Sequence, residues 1–225
     1  MKTTFVAMAD PATLAYPYYR DAGIFHRTLA KSRPYICPFG PLVDWVPQGS
    51  RVFDIGCGTG LWLIMLNALH RIASGVGCDA NGKSLEVATR ASELLNCDSR
   101  GKTVALSFTQ TASIEEWPDE TFDVVSIIDV LHHIPPSLQV SFLRAAWQRV
   151  RPGGRLIYKD MASSPALHAL VNQIHDLILA RQFIHYFPLK SALDQLARSG
   201  GILRHQGEWR RGPYAHELLV IEKCN

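Results

Sequence analysis

Three features of this 225-residue sequence predict an α/β fold with a mostly parallel sheet and helices on both faces. Short β-branched runs alternate with helix-period segments from Arg51 onward. The first run ends in a glycine-rich turn, VFDIGCGTG (Val52 to Gly60). The closing stretch, GILRHQGEWRRGPYAHELLVIEK, reads as an antiparallel hairpin. Strands joined by helices of this length form parallel sheets, and a hairpin can be added only at an edge.

The elements follow in order. Residues 1–48 are rich in Tyr and Pro and weakly periodic, with room for helices at Gly23 to Ala30 and Pro41 to Trp45. Strands are expected at RVFDI, ASGVGCD, VALSFT, FDVVSIID and GRLIYKD. Between them, NGKSLEVATRASELLN gathers Leu85, Ala88, Ala91, Leu94 and Leu95 on one helical face. PPSLQVSFLRAAWQRV gathers Phe142, Leu143, Ala146, Trp147 and Val150 in the same way. Pro135 and Pro136 open that helix, and Pro152-Gly153-Gly154 is expected to close it. After Asp160 a long helix is expected, with Leu167, Leu170, Val171, Ile174, Leu177 and Ile178 as its apolar stripe. A loop and a shorter helix in FIHYFPLKSALDQLARSGG precede the hairpin. No linker divides the chain, so one domain is expected in three parts: 1–48, 49–160 and 161–225.

Composition narrows the function. A formal charge of +3 and a hydrophobic content of 47% describe an ordinary globule, with no basic face for nucleic acid. The five cysteines form no CxxC pair and read as reduced thiols of a cytoplasmic protein. The N-terminal apolar stretch is too short for a secretory signal. LWLIMLNAL (Leu61 to Leu69) is about half a membrane span, so no anchor is expected.

The glycine turn carries the chemistry. In an open parallel sheet, ligands bind beyond the carboxyl ends of the strands, where strand order reverses. Gly56, Gly58 and Gly60 give G-x-G-x-G rather than the G-x-G-x-x-G of dinucleotide sites. Lys and Ser/Thr in P-loop order are missing, which argues against nucleotide hydrolysis. The turn alone leaves a pyridine-nucleotide oxidoreductase open.

VFDIGCGTG resembles motif I of the class I S-adenosylmethionine-dependent methyltransferases, (V/L)-x-D-x-G-x-G-x-G, and later segments extend the resemblance. ASGVGCDAN puts Asp79 at the end of the second strand, 19 residues after Gly60. SIEEWPDETFDVV resembles the family's adenine loop, IIDVLHHI the end of its fourth strand, and RVRPGGRLIYKD the turn and fifth strand. The resemblance covers residues 45 to 160 strongly and the hairpin weakly. It implies a Rossmann-like, doubly wound seven-stranded sheet and S-adenosylmethionine as cofactor, with S-adenosylhomocysteine as product. The reaction it implies is methyl transfer to a small-molecule or carrier-bound acceptor by in-line displacement.

Residue roles follow from the same resemblance. Gly56 and Gly58 let the backbone approach the methionine moiety, and carbonyls around Asp54 and Gly56 accept from its ammonium. Asp79 accepts from both ribose hydroxyls. Ala80 and Ile114 sandwich the adenine, with Ser113, where many members carry Asp, at its amino edge. Cys57, Gly60 and Asp129 complete the expected cofactor set. Cys57 and Cys78 are expected to be packing residues rather than reactive thiols.

On the acceptor side, His132, His133 and Asp160 are the catalytic candidates, for an acceptor that must lose a proton. Tyr16, Tyr19, Lys159 and His185 are candidates for acceptor contact, with Tyr18, Tyr186 and His216 nearby in the pattern. Tyr16, Tyr18 and Tyr19 belong to the segment expected to act as a lid. For each of these a plain reading stands beside the functional one: a capping histidine, a surface Lys159–Asp160 pair, or tyrosines packed on the sheet edge. Adjacent histidines on an extended chain point apart, so His132 and His133 are not expected to share a metal. Asp129 and Asp160 match two acids of the metal-dependent catechol type. Met161 stands where its Asn is needed, so no metal is expected. VLHHI replaces [DN]-P-P-[YF], and Glu115 and Glu116 precede the fourth strand, which disfavours base, glutamine and arginine methylation. Arg210 and Arg211 read as a turn or an acidic-carrier contact. A non-catalytic module with the same pocket remains an alternative. The choice between monomer and homodimer is left open.

Overall fold

The structure, a computed structural model, describes residues 10–98, 104–162, 185–211 and 214–225. Its seven strands are β1 (Ser50–Ile55), β2 (Ile72–Asp79), β3 (Ala105–Gln110), β4 (Phe122–Ile128), β5 (Val150–Met161), β6 (Gly201–Arg211) and β7 (Tyr214–Lys223). They form one sheet in the order β3-β2-β1-β4-β5-β7-β6. β1 to β5 are mutually parallel, β7 runs antiparallel to β5, and β6 pairs antiparallel with β7. The chain winds outward from β1 to β3 and then crosses back to place β4 on the other side of β1. The crevice therefore opens above the carboxyl ends of β1 and β4.

Six α-helices are described: α1 (Ile24–Ile36), α2 (Gly40–Val43), α3 (Leu61–Ala68), α4 (Gly82–Asp98), α5 (Pro136–Gln148) and α6 (Leu189–Arg198). Alternation along the strands feeds two cores. Val52, Val124 and Ile157 pack with α3, α4 and the N-terminal segment. Their neighbours Phe53, Val125 and Leu156 pack with α5 and α6 on the opposite face. Helix α3 is buried almost all round because it lies between the sheet and the N-terminal segment.

Most of the expected elements are present within a few residues, and four details differ. Helix α1 extends to Ile36 rather than ending at Ala30, and α2 is a single turn. The Pro152-Gly153-Gly154 triplet does not close α5, which ends at Gln148 with Arg149 as its cap. The triplet lies inside β5, where the register against β4 jumps between Phe122 and Val124. Gly153 has φ +71°, so the triplet is a bulge rather than a helix stop. The fourth difference is the tyrosine-rich stretch, which forms a 3-10 helix, Pro11–Tyr19. The long helix expected over Leu167 to Ile178 lies outside the described residues.

The Asp10 carboxylate caps the 3-10 helix by accepting from the Ala12 N–H at 3.0 Å. Its other oxygen accepts from the Phe39 N–H at 3.1 Å, so Asp10 joins both ends of the segment. The segment packs on α3 and α4, beside the glycine turn.

Candidate active site at the carboxyl ends of the strands

Gly56, Gly58 and Gly60 have φ values of +72°, +54° and +74°, a conformation that glycine adopts without steric cost. Their surroundings separate their roles. A Cβ at Gly56 would strike the Val130 side chain, and one at Gly60 would come within 2.9 Å of Ala88 and the Phe108 ring. These two glycines serve close packing of the turn against β4, α4 and β3. At Gly58 a Cβ would meet nothing within 4 Å, so this glycine borders the open crevice.

Two acids frame the turn. Asp54 is buried at the end of β1, where its Oδ1 accepts from the Ser126 hydroxyl at 2.6 Å. Burial, opposed by that hydrogen bond and reinforced by nearby Asp79, pushes its carboxyl up to about 7. Asp79 accepts from the Gly58 N–H and from the Asn81 N–H, both at 2.8 Å. Each of its oxygens keeps a second lone pair for another donor. Cys57 and Cys78 are packing residues: burial drives both thiols upward, Cys78 to about 12. Ala80 is exposed, and its carbonyl accepts from Gln110 at 2.9 Å. Ser113 is exposed and Ile114 half-buried against the α5-side core.

The ends of β4 and β5 carry two polar clusters on opposite faces. Asp129 follows β4 with φ +55°, in a region that Asp tolerates better than most residues. Its carboxylate takes Lys159 Nζ at 2.5 Å and Arg33 of α1 at 3.0 Å. Burial alone would raise the carboxyl, but Lys159, Arg33 and His216 outweigh it and hold it well below the usual range. Burial likewise opposes the Lys159 charge, and Asp129 more than restores it. Cys37 is buried beside this group, and its thiol is pushed up to about 12 by burial and the Asp129 charge.

On the other face, the Asp160 carboxylate meets His132 Nδ1 and accepts from the His132 N–H at 3.2 Å. It also accepts from the Met161 N–H at 2.8 Å and the Tyr158 hydroxyl at 3.4 Å. Glu217 stands opposite Asp160 in the β5–β7 pairing. Burial first, then the Asp160 charge, raises its carboxyl to about 8.

These placements correct several expectations. His132 and His133 sit in a 3-10 turn, Leu131–His133, not on an extended chain, and their rings lie 4.0 Å apart. Lys159 and Asp160 are not a surface pair, since both are buried. The Lys159 ammonium is committed to Asp129 rather than presented to an acceptor. Tyr16 and Tyr19 spend their hydroxyls internally, on the Lys31 carbonyl at 3.1 Å and the Thr59 carbonyl at 2.9 Å. His185 is exposed, and its backbone donates to the His132 carbonyl at 2.9 Å. His216 is buried on the Asp129 face. The side chains of Arg210 and Arg211 fall outside the described ones. Asp129 and Asp160 are held on opposite faces, so the two acids of a catechol-type metal site are not assembled.

A family model described as a methyltransferase domain matches residues 27–201. This chain belongs to the S-adenosylmethionine-dependent methyltransferase family. A ubiquinone biosynthesis O-methyltransferase of Pseudomonas fluorescens is 30% identical over 172 residues, 71% of this chain and 69% of that protein. One from Ruegeria pomeroyi is 30% identical over 164 residues, 72% of this chain and 57% of that protein. Among solved structures, the magnesium protoporphyrin IX methyltransferase of Synechocystis, with S-adenosylhomocysteine bound, superimposes with a TM-score of 0.66 at 18% identity. The match covers 94% of this chain and 93% of that one. An O-methyltransferase family protein of Burkholderia thailandensis gives a TM-score of 0.64 at 20% identity, covering 93% and 62%.

The methyltransferase's cofactor is S-adenosylmethionine, and the geometry fits it. The cofactor carries an ammonium and a ribose diol, both donors. The crevice offers the half-buried Asp79 carboxylate beside the uncrowded Gly58. Several residues of this candidate site carry no sequence signal. Arg33 is one cation in a weakly periodic helix, and Ser126 is one small residue inside an apolar strand. Glu217 was hidden by the same alternation that makes β7 a strand.

Proposed function

We propose that this methyltransferase methylates a hydroxyl oxygen of a small molecule, free or attached to a carrier. The observation that carries the reading is the buried His132–Asp160 pair at the end of β4, with half-buried His133 ring to ring beside it. The ubiquinone biosynthesis O-methyltransferases among its relatives support the same acceptor class. We also assign it to the cytoplasm. Its five cysteines are free, and among the described residues no helix is long and apolar enough to cross a membrane.

Asp54, the glycine turn and Asp79 would hold S-adenosylmethionine, with Ala80, Ser113 and Ile114 at the adenine end. When bound, it supplies a methyl group on a sulfonium, a leaving group that needs no protonation. The protein's own task is therefore alignment and removal of the hydroxyl proton. His133 takes that proton. His132 is the positioning residue behind it, with its ring fixed by Asp160. The N-terminal segment, tied to the glycine turn by Tyr19 and to Asp129 by Arg33, keeps water from the crevice.

The test is transfer from labelled S-adenosylmethionine across phenols, hydroxy acids and amines. Hydroxyl acceptors should turn over, and His133→Ala should lower kcat roughly 10²-fold or more near neutral pH. Phenols should recover as the pH approaches their own ionisation. Full kcat for both His133→Ala and His132→Ala from acid to alkaline pH would remove the base. Turnover of amines alone would remove the hydroxyl acceptor.

A further inference from the structure

The N-terminal segment holds a cavity of about 330 Å³ between the 3-10 helix and α1. Arg27, Ala30 and Lys31 recur at helical spacing and present one face of α1 to it. The 3-10 helix contributes Thr13, Tyr16, Tyr19 and Arg20. Three cations thus surround one concave space, and among the described residues no carboxylate lines it. Among the described residues, none of the three cations is in an ion pair. Like charges are gathered here at an electrostatic cost that an anion would remove. The Tyr16 hydroxyl fixes the Lys31 backbone, so the two walls are held in register.

We infer that this groove binds a phosphate-bearing ligand, its oxygens on Arg20, Arg27 and Lys31 and its organic part against the Tyr16 ring. Phosphate suits this set better than a carboxylate does, because its oxygens diverge toward several donors at once. The ligand is a soluble phosphomonoester or the headgroup of an anionic lipid. Both share this chemistry, and exposed Ile24 and Phe25 on the first turn of α1 stand ready for the second. The site goes beyond the methyl-transfer reading and does not depend on it. Tyr19 links the two regions, since it lines the groove and donates to the Thr59 carbonyl in the glycine turn.

The test uses the whole chain at constant ionic strength, with phenyl phosphate titrated calorimetrically. Saturable binding with Kd below about 1 mM is expected. Arg27→Gln with Lys31→Gln should weaken it tenfold or more, through loss of two charge-assisted contacts. The same double change at exposed Lys83 and Arg90 of α4 should leave it intact. In a parallel arm, sedimentation with phosphatidylglycerol but not phosphatidylcholine vesicles, lost in the groove variant, assigns the ligand to a lipid headgroup and keeps the site. Binding of neither probe would overturn the inference, and so would equal losses in the groove and control variants. Far-ultraviolet circular dichroism and S-adenosylhomocysteine affinity report whether each variant remains folded.

Discussion

Lys159 and Asp160 are neighbours in β5 and point into opposite worlds. On the Lys159 face, one carboxylate, Asp129, lies between two cations, and its charge is held fast. On the Asp160 face the balance is reversed. Asp160 and Glu217 share the space with His132 and Tyr158, and burial first, then the Asp160 charge, raises Glu217 to about 8. The first arrangement fixes charge and fastens one element to another. The second keeps a proton within reach of neutral pH. A single strand thus carries a buried ion pair on one side and, on the other, a cluster of acids with one histidine.

The comparison breaks most readily at its anchor. Lys159→Met should cost about 3–5 kcal/mol in urea unfolding, because buried Asp129 loses the ammonium bound to it. Adding Asp129→Asn should recover most of that loss. A small effect of the single substitution would mean that Arg33 and water suffice, and the two faces would be less different than their geometry indicates.

The acid face can be sharpened by pH. Glu217 has a folded-state value above its unfolded one. Its contribution is therefore fully present below about pH 4.5 and is lost as pH rises through about 8. The melting temperature should fall by several degrees over this window, and Glu217→Gln should flatten the fall. Some slope will remain, because Asp54, raised to about 7, titrates in the same direction. An unchanged slope would show that Glu217 is ionised throughout.

The smallest effect belongs to Arg33, whose side chain is 35% exposed. Arg33→Ala should cost about 1 kcal/mol, since solvent screens the pair and Lys159 remains. Limited proteolysis of the N-terminal segment should nevertheless speed up, because the contact between α1 and Asp129 is gone. Protection equal to wild type would assign the closure to Tyr19 and Asp10 alone.

Sequence patterns read the two regions unequally. The glycine turn, Asp54 and Asp79 were legible because their work is done by backbone conformation and strand ends, which leave short local signatures. The two clusters on β5 were not. Lys159 finds Asp129 thirty residues away, and Arg33 reaches the same carboxylate from another element. Such contacts depend on strand order, and nothing local encodes it. The Pro152-Gly153-Gly154 bulge failed for a related reason. Its composition fits a helix stop and a bulge equally, and only the pairing with β4 decides. His132 and His133 read as extended in the sequence because the turn that follows β4 begins with a positive-φ Asp129 and carries no glycine.

Asp10 accepts from Ala12 and Phe39 with its two oxygens, which gives the N-terminal segment the topology of a buckled strap. Its two ends are pinned at one point. Closing a loop of this length costs little more entropy than closing a much shorter one. A single cut in the middle of the strap would leave both halves held at the buckle.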